Sequence, residues 1–76
     1  MSRAKLAWRC RRGMKELDIL LQRWLNARYD SATPAQRARF EALLELPDPD
    51  LVGYLLAGVD PVDPEVAAGI DEIRTA

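Results

Sequence analysis

Histidine is absent from this chain and cysteine occurs once, at Cys10. Without imidazole the histidine-dependent forms of acid/base and nucleophilic catalysis have no agent. A single thiol cannot close an internal disulfide, and no Cys/His zinc site can be assembled from it. Long apolar runs are missing as well. None approaches the roughly 20 residues of a membrane span, and the basic start of the chain lacks the apolar segment of a signal peptide. These absences lead us to expect a soluble, cytoplasmic protein with no membrane insertion and no metal site, and they leave a small enzyme poorly supported because Cys10 has no imidazole partner. Period-two alternation and β-branched clustering are lacking too, so no strand is expected.

What is present is a short globular chain. Seventy-six residues, 49% hydrophobic and 30% charged, read as one domain over residues 1–76, close to the smallest size that holds a core without staples. A deep enclosed active site is not expected at this size. The net charge of −1 conceals two unlike halves. Residues 1–39 carry ten Lys/Arg against three Asp/Glu, a net of +7, and residues 40–76 carry one Arg against nine Asp/Glu, a net of −8. The halves can attract each other, or a basic face can meet an acidic partner.

Helical spacing recurs along the chain. Residues 3–12 place Leu6 and Cys10 on one side of a first helix. Residues 14–29 give the clearest pattern, with Leu17, Leu20, Leu21, Trp24 and Leu25 at i, i+3, i+4, i+7 and i+8, marking the central helix. Thr33-Pro34-Ala35-Gln36 has the form of a capping box with proline at the first helical position. A third helix should run from it to about Leu46, with Gln36, Phe40, Leu43 and Leu44 inward. Asp48-Pro49-Asp50 reads as an acidic cap for a largely buried fourth helix, Leu51 to about Ala57, ending at Gly58. Asp63-Pro64 caps a fifth that turns Val66, Ile70 and Ile73 inward and is weakened by Gly69. The expected fold class is all-α, a compact bundle of about five short helices.

Gly13 interrupts two helical patterns and leaves a charged corner, Arg11-Arg12-Gly13-Met14-Lys15-Glu16-Leu17-Asp18. Each residue there has a plain and a functional reading. Gly13 is a helix stop, or a bend that lets a partner approach. Arg12 is a solvated charge, or a planar fork of donors for a partner's carboxylate or carbonyl. Glu16, in the first turn of the second helix, is a capping acid, or the mate of a partner cation. Trp8 lies opposite Leu6 and Cys10, with Lys5, Arg11 and Arg12 three or four residues away; it is a half-buried ring under arginine stems, or an aromatic anchor in a basic rim that includes Arg9. Ile19, alone among charges beside Glu16, is an ordinary exposed residue or an extension of that surface. Cys10 reads as a small core residue.

The run Trp8-Arg9-Cys10-Arg11-Arg12-Gly13-Met14-Lys15-Glu16-Leu17-Asp18, followed by Tyr29-Asp30, Leu43-Leu44-Glu45, Pro49-Asp50-Leu51 and Tyr54, resembles the SdhE family of succinate dehydrogenase assembly factors. The family's Arg-Gly-x-x-Glu signature falls on Arg12, Gly13 and Glu16, and the likeness spans roughly residues 3–58. After Asp60 the match is one of general character only. The resemblance implies a five-helix, non-enzymatic protein, monomeric when free, that docks on the flavoprotein subunit of succinate dehydrogenase, with the related fumarate reductase a second candidate. It implies that FAD is attached covalently to a histidine of the partner while this chain holds no cofactor stably. It also places partner binding at Arg12, Gly13 and Glu16, to which the residues above add Trp8, Arg9, Arg11 and Ile19.

The rival reading is a small nucleic-acid-binding or regulatory module. A basic N-terminal half with Trp8 and a helix-turn-helix-like corner imitates one. It requires Arg3, Lys5, Arg9, Arg11, Arg12, Lys15 and Arg23 to form one continuous stripe.

Overall fold

Among the described residues, three helix starts are fixed by side chains that satisfy the free amides of a first turn. Thr33 and Gln36 complete the capping box in both directions, Thr33 Oγ1 accepting from Gln36 N at 3.1 Å and Gln36 Oε1 from Thr33 N at 2.9 Å. Asp63 accepts from Glu65 N at 2.9 Å, with Pro64 at the first helical position. Ser2 accepts from Lys5 N at 3.2 Å. A computed structural model describes residues 2–76 and contains α1 (Arg3–Arg9), α2 (Lys15–Arg28), α3 (Pro34–Leu44), α4 (Asp48–Leu55) and α5 (Pro64–Arg74), with a 3-10 turn at Tyr29–Ser31. Among the described residues there is no strand, and no helix is long and apolar enough to cross a membrane.

The central helix is α2, packed on α1, α4 and α5, while α3 lies against α5. Leu17, Leu21, Trp24 and Leu25 are buried along it. Leu20, expected inward with them, is half-buried at the edge of the core. Trp24 stacks on Phe40 of α3, ring centroids 4.4 Å apart, and meets Tyr29 edge-on at 6.0 Å. Arg37 covers the outer face of Tyr29 at 4.8 Å. Such aromatic contacts contribute about 0.5–1.5 kcal/mol beyond burial alone. They fix how α2 and α3 meet in a core that is otherwise mainly leucine and isoleucine.

Three expectations change. The fourth helix begins at Asp48, not Leu51, and its cap position is Pro47, so Asp48 lies inside the helix and caps nothing. It also ends at Leu55, with Leu56 38% exposed, and is less buried than its composition implied; Gly58, at φ +74°, turns the chain away and Val59 N donates back to Gly53 O at 2.8 Å. Gln36 is half-buried and committed to its capping box. Gly69, read as a weakness in α5, has a packing reason: a Cβ there would stand 2.8 Å from Leu43 Cδ1. The bare backbone is what lets α5 approach α3 so closely.

Candidate functional site

α1 ends at Arg9, with Cys10 at its cap and Arg11 N donating to Trp8 O at 3.0 Å. The chain then runs through Arg11 and Arg12 to Gly13 before α2 begins. Gly13 has φ +76°, the left-handed region that side chains resist. It sits three residues beyond Cys10, so it forms the bend itself and is not a simple helix cap. A Cβ at Gly13 would meet nothing within 4 Å. The requirement for glycine is conformational within this chain, and the space beside it is open. Asp18, one turn into α2, accepts from Arg12 N at 2.8 Å and braces the bend from the far side.

Arg12 is where the structure departs most from the sequence reading. Its guanidinium turns inward, with the side chain 15% exposed. Nε donates to Arg9 O at 2.8 Å, Nη1 to Leu46 O at 3.3 Å and to Asp48 Oδ1 at 3.0 Å, and Nη2 to Leu44 O. Arg9 and Leu44 are the last residues of α1 and α3, whose carbonyls lack helical partners. One planar fork therefore gathers the ends of two helices and the first residue of a third. The outward fork expected from the sequence, and the solvated charge that was its alternative, are both replaced by an internal clamp.

The other residues divide. Arg9 pairs with Glu45, Nη1 to Oε1 2.8 Å, linking α1 to the end of α3. The hydrogen bond from Arg9, with the attraction of its charge, holds the Glu45 carboxyl below its ordinary value. Trp8 is 72% exposed, so the half-buried alternative does not hold. Arg11 and Glu16 are exposed, and Glu16 occupies the second position of α2, near the positive end of the helix dipole. Ile19 is 52% exposed one turn further on, and Met14, at the cap of α2, is 38% exposed. A shallow depression of about 200 Å³ lies on the α1 side, lined by Trp8, Arg9, Arg11, Arg12 and Leu44. Trp8, Met14 and Ile19 thus stand exposed near charges of both signs, and tryptophan, methionine and arginine are residue types enriched at interfaces.

Sequence reasoning placed Asp18 in the corner but missed its bond to Arg12, and it missed Asp48 as part of this site altogether. Asp18 lies in the corner and could have been reached by its spacing from Arg12. Asp48 could not, because its partner is 36 positions away and only the tertiary fold joins them. The same pairing breaks the basic stripe required by the nucleic-acid reading. Arg3 is bound to Asp30, Arg9 to Glu45 and Arg12 to Asp48, which leaves Lys5, Arg11, Lys15 and Arg23 as the exposed cations of that set without a carboxylate partner among the described residues.

Among the described residues the depressions are small. The depression beside Trp8 and two others, of about 190 Å³ at Trp24 and Arg28 and about 130 Å³ between α3 and α5, all fall below the roughly 300 Å³ at which ligand pockets begin.

Comparison with known proteins bears on the chain as a whole. The family model Sdh5, described as flavinator of succinate dehydrogenase, matches residues 4–76. The match runs past Asp60 to the end of the chain, further than the resemblance read from motifs. The chain is 43% identical over 70 residues to the FAD assembly factor SdhE of Coxiella burnetii, covering 92% of this chain and 85% of that protein. It is 42% identical over 72 residues to the protein of the same name from Methylococcus capsulatus, covering 95% and 87%. For the one from Pectobacterium atrosepticum the figures are 35% over 74 residues, 97% and 84%. No solved structure matches. With a family model spanning nearly its full length and relatives well above 30% identity, this chain belongs to the family of succinate dehydrogenase flavinators, the SdhE assembly factors.

Proposed function

We propose that this chain is an assembly factor that docks on the flavoprotein subunit of succinate dehydrogenase and promotes covalent attachment of FAD to it. The observation that carries this reading is the family match over residues 4–76. The corner supports the manner of it. Trp8 and Ile19 offer exposed apolar area, Arg11 and Lys15 positive charge, and Glu16 a carboxylate, all around the bend at Gly13. The flavin bond forms on the partner; this chain supplies no nucleophile and acts as a binder. Holding reacting groups in line can remove several kcal/mol from a barrier without a group of the helper's own. The size of the effect is bounded by how much better the chain binds the partner's reactive conformation than its alternatives. We place this work in the cytoplasm, with the chain monomeric when free and the flavoprotein of fumarate reductase as a second client.

Co-expression of the flavoprotein subunit with and without this chain tests the reading through fluorescence of the denatured subunit on a gel, which reports covalent flavin. Loading should rise with the wild-type chain. Trp8→Ala and Glu16→Ala should reduce it while thermal unfolding of the isolated chain stays within a few degrees of wild type. Full loading without the chain would refute the function. Full loading with both variants, folded and equally abundant, would remove the corner from it.

A further inference from the structure

We infer that Arg12 is a positioning residue for docking: clamped by Asp48 and by the carbonyls of Arg9, Leu44 and Leu46, it holds the Trp8 and Arg11 ridge in place without itself touching the partner. The inference rests on the docking role proposed above and assigns the labour within it. A guanidinium has five N–H donors. Four hydrogen bonds within the chain engage all three of its nitrogens. With the side chain 15% exposed, little of the fork remains for another molecule.

What the fork holds is the wall of the corner. Arg9 O, one of its acceptors, belongs to the residue after Trp8, and Arg11 N is bonded to Trp8 O. Leu44, another acceptor, lines the same depression as Trp8 and Arg11. Losing the fork strands buried or half-buried carbonyls at the ends of α1 and α3, which must then find water or move. Lysine at this position would offer one compact ammonium where acceptors on three separate segments need a broad planar donor. Asp48 fixes the fork's outer edge, which gives a residue of α4, far along the chain, a part in presenting Trp8.

A double-mutant cycle on affinity for the purified flavoprotein subunit tests this. Trp8→Ala alone should weaken binding about tenfold, the size expected for an interface tryptophan. Arg12→Ala should weaken it comparably, and in that background Trp8→Ala should cost less than about twofold, because groups acting through one another are not additive. Arg12→Lys should behave like Arg12→Ala, and Asp48→Asn should shift binding in the same direction. A general loss of stability would leave the Trp8→Ala ratio unchanged in every background, so the ratio separates positioning from mere destabilisation. Should Arg12→Ala fail to fold, the same cycle is run with Asp48→Asn in its place. Additive effects, with Trp8→Ala costing the same tenfold in either background, would overturn the inference while leaving docking intact. A wild-type chain that does not bind the flavoprotein would instead overturn the docking role.

Discussion

Nη1 of Arg12 lies 3.0 Å from Oδ1 of Asp48, joining the corner after α1 to the first residue of α4. The two belong to the basic and acidic halves of the chain, and they are not alone in crossing that divide. Arg9 reaches Glu45, and Arg39 bonds Glu72 and Glu65 on α5. Where such a pair is exposed, as Arg9 with Glu45, it contributes at most about 1 kcal/mol. Arg12 adds three backbone carbonyl contacts to its carboxylate pair.

Gly13→Ala should destabilise the chain by about 1–2 kcal/mol, the cost of placing a Cβ in the left-handed region. Gly13→Asn should cost less, since its short side chain tolerates that region. No neighbour lies within 4 Å of the added atom, so the penalty is purely one of backbone conformation. Urea unfolding measures it, and an alanine variant as stable as wild type would show that φ +76° is not required.

Gly53 and Gly69 should respond in opposite directions to the same change. At Gly53 in α4 a Cβ would sit 3.7 Å from Val59 Cγ2, ordinary contact, so Gly53→Ala should stabilise by about 0.5–1 kcal/mol through helix propensity. At Gly69 the Cβ meets the buried Leu43 at 2.8 Å and 3.4 Å. Overpacking of about 1–3 kcal/mol should outweigh the helical gain. Thermal unfolding of the pair decides; a stabilised Gly69→Ala would mean that α5 moves off α3 at little cost.

Burial pushes the Cys10 thiol up to about 11, and the nearby Arg12 charge offsets this only in part. Cys10 should therefore resist a thiol reagent at pH 8 in the native chain and react at once in denaturant. The sign for stability follows. Folding favours the neutral thiol, so its contribution is full below the ordinary value of 9.0 and is lost as the pH rises toward about 11. Rapid native labelling at pH 8 would contradict the buried position.

Much of this architecture was legible because it is local. Apolar spacing located α2, and the capping box at Thr33 and the Asp63-Pro64 start are complete within four residues. The same local logic misread Asp48, which has the form of a cap yet serves as an acceptor for a residue 36 positions earlier. It misread Gly69 for the same reason, since the value of a missing side chain depends on what lies opposite. At the corner, the exposure of Glu16 and Ile19 followed from helix faces, whereas the choice between a half-buried and an exposed Trp8 did not, and the inward turn of Arg12 depended on where three other helix ends arrive. Helical periodicity carries no information about such meetings.

An arginine bound to helix ends and a tryptophan facing outward sit four residues apart in one short run, and cells would register their loss differently. A chain lacking the first is thinned out by proteases and chaperones, because even 1–2 kcal/mol changes how much folded protein survives. A chain lacking the second accumulates normally and stands idle. Two mutants with the same empty flavoprotein would thus part company on an immunoblot.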